Sequence, residues 1–106
     1  MSDIRVATFA PDLMDQSKIR AAFPDAKRLR STTQLSGCDA DVVIVDLGRP
    51  GVLDAVPEII ANGIRVVGFA SHVDDELIGL AWAAGATEVL PRSVFFKRLS
   101  DGTLTL

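Results

Sequence analysis

The stretch Asp41-Val42-Val43-Ile44-Val45-Asp46-Leu47 decides how the rest of the chain reads. It is an almost unbroken β-branched run that ends in a carboxylate. A strand with one face in water alternates apolar and polar residues. This run does not alternate, so both of its faces must be covered, as in a parallel sheet with helices on two sides. Gly48-Arg49-Pro50-Gly51 follows as a turn. Residues 52–61 then read as a helix closed by Asn62-Gly63, with Pro57 predicting that it is short or kinked. Residues 64–70 (Ile-Arg-Val-Val-Gly-Phe-Ala) form a second buried strand. Ser71-His72-Val73 leads into a helix over 74–84, whose first turn carries Asp74, Asp75 and Glu76, where the helix dipole favours negative charge. Gly85 ends it, 87–90 is a short final strand, and 93–99 is a last, short helix.

Upstream the signals are weaker. Residues 4–9 (Ile-Arg-Val-Ala-Thr-Phe) read as a first strand and Pro11-Asp12 as punctuation. A helix over about 12–23 follows, with Leu13, Ile19, Ala22 and Phe23 near helical spacing. Pro24-Asp25 stops it. Residues 26–30 make a polar strand suited to a sheet edge, and 31–37 hold one helical turn or none. Strands alternating with helices over short connections imply right-handed crossovers and a parallel α/β sheet. In such sheets function gathers at the carboxyl ends of the strands, where Asp46, Ala70-Ser71 and Pro91-Arg92 fall.

The bulk numbers agree. At 106 residues the chain is one domain, residues 1–106, and its 48% hydrophobic content supplies one core without disulfide or metal. A formal net charge of -3 opposes binding to a phosphate backbone. The short basic clusters Lys27, Arg28, Arg30 and Lys97, Arg98 read as solvated surface. The single cysteine, Cys38, excludes an internal disulfide and fits a reducing cytosol. Met1-Ser2-Asp3-Ile4-Arg5 lacks the apolar run of a signal peptide, and no segment is long enough to span a bilayer. The expectation is a soluble, cytoplasmic protein that binds neither nucleic acid nor membrane.

Three segments in order resemble response-regulator receiver domains of two-component signalling, a bacterial family. Residues 41–51 resemble the strand that presents the phosphoacceptor aspartate and its Pro-Gly loop. Residues 66–76 resemble the next strand and the entry to the fourth helix. Residues 84–93 (Ala-Gly-Ala-Thr-Glu-Val-Leu-Pro-Arg-Ser) resemble the Ala-Gly-Ala block and the final strand. The resemblance implies a flavodoxin-like three-layer sandwich around a five-stranded parallel sheet of order 2-1-3-4-5, here with the second helix short or absent.

A working receiver needs an acceptor carboxylate, further carboxylates for Mg²⁺ with its octahedral oxygen preference, a cation for the phosphoryl oxygens and a hydroxyl that reads them. Asp46 stands at the acceptor position. The acidic pair expected after the first strand is replaced by Thr8-Phe9-Ala10-Pro11, leaving Asp12 and Asp46 as weak Mg²⁺ candidates. The hydroxyl position reads Ala70, with Ser71 one place out of register. The lysine position reads Arg92, whose planar fork differs from an ammonium. Pro91 precedes it where the family places proline after, and the aromatic switch position reads Val89. This pattern points to a degenerate pseudo-receiver: a non-enzymatic protein-interaction module without cofactor. The alternative is a genuine phosphoacceptor in a phosphorelay, and only that reading calls for Mg²⁺. Without a metal role, Asp46 is expected to pair with Arg92 or to cap the Gly48 turn.

Receivers meet partners through the surface of the fourth helix, fifth strand and fifth helix. Here that surface implicates Trp82, Val89, Phe95 and Phe96, for another signalling protein or a second copy. Trp82 is either an exposed anchor or a core residue of a helix whose buried side is Leu77, Ile78, Leu80 and Ala81. Phe95 and Phe96 point about 100° apart, so one packs and the other is free to join Trp82 in an apolar patch. His72 reads as a loop residue and Cys38 as a small loop residue without chemistry. A flavodoxin-like ligand domain is disfavoured because no Gly-rich phosphate loop follows the first strand. No catalytic triad can be assembled, and residues 100–103 read as a frayed end.

Overall fold

The computed structural model describes residues 4–106, so Met1, Ser2 and Asp3 of the N-terminal stretch lie outside the described residues. Five strands form one parallel sheet: β1 (Val6–Phe9), β2 (Lys27–Arg28), β3 (Val42–Asp46), β4 (Arg65–Ala70) and β5 (Glu88–Pro91), in the order β2-β1-β3-β4-β5. Four helices flank it: α1 (Leu13–Ala22), α2 (Val52–Ala61), α3 (Asp75–Ala83) and α4 (Arg92–Asp101). The helix expected after β2 is reduced to one 3-10 turn, Thr32–Gln34. α3 and α4 therefore stand where a receiver has its fourth and fifth helices.

The unbroken apolar run of β3 is explained by its place at the centre of the sheet. Val42 to Val45 have no exposed surface, and they divide between two cores. Val43 and Val45 join Ala7, Phe9, Val56, Ile59, Val66 and Ala81 beneath α2 and α3. Val42 and Ile44 join Ile19, Val67, Phe69, Phe95 and Leu99 beneath α1 and α4. The register sets Asp46 of β3 beside Phe69 and Ala70 of β4 beside Pro91. The carboxyl ends of the three strands thus converge on one edge.

Two sequence expectations, for Leu80 and for residues 100–103, are corrected, while α2 keeps the expected bounds 52–61. α2 runs unbroken through Pro57, whose ring lies on the solvent face while Val52, Val56 and Ile59 are buried. The buried face offsets the lost backbone hydrogen bond. Leu80 is 48% exposed and not on the buried side of α3, which is carried by Leu77, Ile78, Ala81 and Ala84. Residues 100–103 are not frayed: α4 continues to Asp101 and closes at Gly102 (φ 74°). The amides of Thr103 and Leu104 then return to the carbonyl of Arg98, and Leu104 and Leu106 pack on the α1/α4 core.

Candidate functional site

Asp46 ends β3 at the sheet's carboxyl edge, and both of its carboxylate oxygens are engaged locally. Oδ1 accepts from the Gly48 backbone N–H at 3.0 Å, and Oδ2 lies 3.4 Å from Arg49 Nε. The side chain is largely buried and that of Arg49 is half-exposed. The expected capping of the Gly48 turn is present, an Asx turn in which the aspartate satisfies its own loop.

The expected Asp46–Arg92 ion pair is not formed. Arg92 donates instead to Asp15 Oδ1, in the first turn of α1. Asp15 is 1% exposed, and its other oxygen is buried without a partner. The Arg92 guanidinium also lies 5.3 Å from the Phe69 ring centre and 5.1 Å from that of Phe96, within cation–π range. The hydrogen bond from Arg92 to Asp15, reinforced by the nearby charges of Asp15, Asp46 and Asp12, raises the guanidinium pKa. The reason for this choice of partner is geometric. Arg92 opens α4, which packs against α1 on one face of the sheet, and Asp15 lies on the buried stripe of α1 with Ile19.

Asp12 is the N-cap of α1. Its Oδ1 accepts from the amides of Met14 (2.9 Å) and Asp15 (3.0 Å), as capping aspartates do. The Asp15 amide above all, with the Met14 amide and the charges of Arg92 and Arg49, holds this carboxyl below its ordinary range. The β1–α1 loop supplies no further carboxylate at the edge, and Ala10 and Ala70 are buried. Ser71 does not replace the missing hydroxyl, because its Oγ faces the Val73 amide at 3.4 Å. No group of three His, Cys, Asp or Glu able to hold a metal exists among the described residues. The residues do not fit Mg²⁺: Asp12 is a cap, Asp46 is held by Gly48 and Arg49, and Asp15 is held by Arg92.

Of the expected partner-facing residues, Trp82 is exposed at 47%, whereas Val89 (5%) and Phe95 (0%) are buried and offer no surface. Phe95 stacks on Phe69 with ring centres 4.7 Å apart, and the half-buried Phe96 meets both rings edge-on. The Trp82–Phe96 patch is therefore absent: Phe96 belongs to the α1/α4 core, and Trp82 projects from α3 on the opposite face of the sheet. His72 is exposed in the β4–α3 loop. Cys38 is half-buried, and burial raises its thiol pKa.

Asp15 and Arg49 escaped the sequence reading. The signal for Asp15 was its spacing: four residues before Ile19 places it on the same helical stripe, so a carboxylate there needs a cation.

With this geometry in hand, comparison with solved structures places the fold. A response regulator from Hahella chejuensis superposes with a TM-score of 0.76 at 18% identity, covering 95% of this chain and 92% of that one. The phosphorylated cyanobacterial phytochrome response regulator RcpA gives 0.79 at 13% identity over 96% and 89%. The receiver domain of the response regulator NarL from Mycobacterium tuberculosis gives 0.74 at 15% identity over 97% and 98%. The fold is that of a response-regulator receiver. No protein-family model and no curated protein matches the sequence. Among the described residues, no helix of this receiver-like domain is long and apolar enough to cross a membrane.

Proposed function

We propose that this domain is a signalling module that binds a partner protein in a fixed state, without Mg²⁺-dependent phosphorylation of Asp46. One observation carries the reading: the aspartate at the acceptor position and the cation at the lysine position are each already engaged by other groups of the protein. Asp46 is held by Gly48 and Arg49, and the cation at the lysine position is turned to Asp15. An incoming phosphoryl group would meet Asp12 and Asp46 without a divalent ion to offset the repulsion. The pseudo-receiver acts by presenting a surface, has no enzymatic activity and uses no cofactor. Its partner is another cytoplasmic signalling protein or a second copy, engaged through α3 and β5 with the exposed Trp82 as anchor. A bacterial origin follows from the same family reading.

Acetyl phosphate with Mg²⁺, followed by intact mass measurement, tests the proposal. The expected result is no phosphorylated species, and no change in NMR shifts on adding beryllofluoride and Mg²⁺. A stoichiometric, acid-labile adduct that disappears in Asp46→Asn would overturn it. The second reading is a phosphoacceptor in a phosphorelay. It is favoured by one observation, that Asp46 keeps the end-of-β3 position in this fold. The same assay separates the two.

A further inference from the structure

A cleft of about 510 Å³ lies between α1 and the short edge strand β2, away from Asp46. That volume suits a small organic molecule rather than a single ion. The cleft exists because β2 is only two residues long and leaves the sheet edge beside α1 thinly covered. Two observations give it a chemical character. Arg20 and Arg28 both line it, and no acidic residue does. Neither guanidinium is in a salt bridge among the described residues, where all four such pairs involve other arginines. In a chain of net charge -3, two cations without carboxylate partners lining one cleft are a local reversal of sign. The register explains the placement. Arg28 pairs with Thr8 of β1, so its side chain rises on the face of the sheet that α1 covers, beside the buried Thr8. Arg28 Nη1 bonds to Gln16 Oε1 at 3.0 Å, which steadies the guanidinium at the rim and keeps its charge uncompensated. Leu13, Phe23 and Pro24 add apolar surface to the same lining.

We propose that this cleft binds a small organic anion: a phosphate or carboxylate held between Arg20 and Arg28, with an apolar ring against Phe23 and Pro24. Guanidinium groups bind both oxyanions through charge-assisted hydrogen bonds, and the apolar surface distinguishes a ring-bearing ligand from the bare ion. The site is independent of the state of Asp46.

The test is an NMR titration of the full chain with phenyl phosphate, with inorganic phosphate and phenol as separate arms. Phenyl phosphate is expected to give saturable shifts at Ser17, Phe23 and Ala26, with inorganic phosphate binding more weakly at the same residues. Arg20→Gln and Arg28→Gln are each expected to weaken phenyl phosphate about tenfold, the worth of one charged hydrogen bond. Both side chains are exposed, so melting temperatures should hold. Ser17→Glu, which sets a carboxylate into the cleft, should abolish binding. The proposal is overturned by shifts that do not saturate, by equal response to phenol, or by shifts that persist unchanged in both arginine variants.

Discussion

Arg92 and Asp15, 77 positions apart in the chain, form an ion pair that ties the first turn of α4 to the first turn of α1. The Asp15 side chain is buried while that of Arg92 is 44% exposed. Removing the cation strands a charge that cannot reach water. Arg92→Ala is expected to cost about 2–4 kcal/mol, toward the lower end of buried-pair losses because Arg92 faces solvent. The double variant Asp15→Leu/Arg92→Met should recover most of the loss, since an apolar pair removes both desolvation penalties. Urea unfolding of the two singles and the double measures this. Additive losses would mean that the two residues are not coupled.

Gly68 is required by Leu47. A methyl group at Gly68 would lie 2.7 Å from both Cγ and Cδ1 of Leu47, and that leucine is 2% exposed. Gly68→Ala should destabilise the domain by about 1–3 kcal/mol through overpacking. The cost of Gly68→Ala should be smaller in a Leu47→Ala background, which thermal unfolding can read. An unchanged melting temperature for Gly68→Ala would show that β3 and β4 yield at this point.

The tail is docked through Gly102, whose φ of 74° lets α4 close and return Leu104 to the core. Gly102→Ala forces a side chain into the left-handed region at about 1–2 kcal/mol. Hydrogen exchange at the Thr103 and Leu104 amides should accelerate more than exchange in β3. Uniform acceleration across the sheet would locate the tail's contribution elsewhere.

Acid sensitivity should arise from Asp12 and Asp41. Backbone amides hold both carboxyls below the ordinary value of 3.8: Asp15 and Met14 for Asp12, and Arg5, with its side chain, for Asp41. A folded pKa below the unfolded one contributes stability above the unfolded value, and that stability is lost as pH falls through the folded value. Stability from these groups should therefore be constant down to about pH 5 and decline below pH 4. Carboxyl ¹³C titrations should place both midpoints below 3.8, and a midpoint at or above it would contradict these contacts.

Trp82 is the chain's only tryptophan and is 47% exposed. Its emission should be solvent-like and readily quenched by acrylamide. Trp82→Ala should change stability by no more than about 0.5 kcal/mol, as exposed positions do. The same variant should weaken association with a partner or a second copy, measured by sedimentation or pull-down against candidate signalling proteins. A protected, blue-shifted emission in the isolated domain would place the indole in a contact that the present fold does not contain.

The alternation of apolar strands and helices was legible residue by residue. The β-branched run ending at Asp46, the Pro11-Asp12 punctuation, the acidic first turn at Asp74 and the stops at Gly63 and Gly85 mark α/β elements through local chemistry. The ordered family resemblance added the strand order. The amino acids also declared the absence of an acidic pair after β1. Only the folded chain decided which charge answers which. Arg92 had three carboxylates to choose from, and the packing of α4 on α1 put Asp15 within its reach. The same packing divided Phe96 from Trp82, and the short β2 beside α1 left Arg20 and Arg28 lining a common cleft. Periodicity records which side of an element is buried, because burial repeats along the chain. Partners distant in sequence depend on where separate elements meet, and no repeat in the sequence records that.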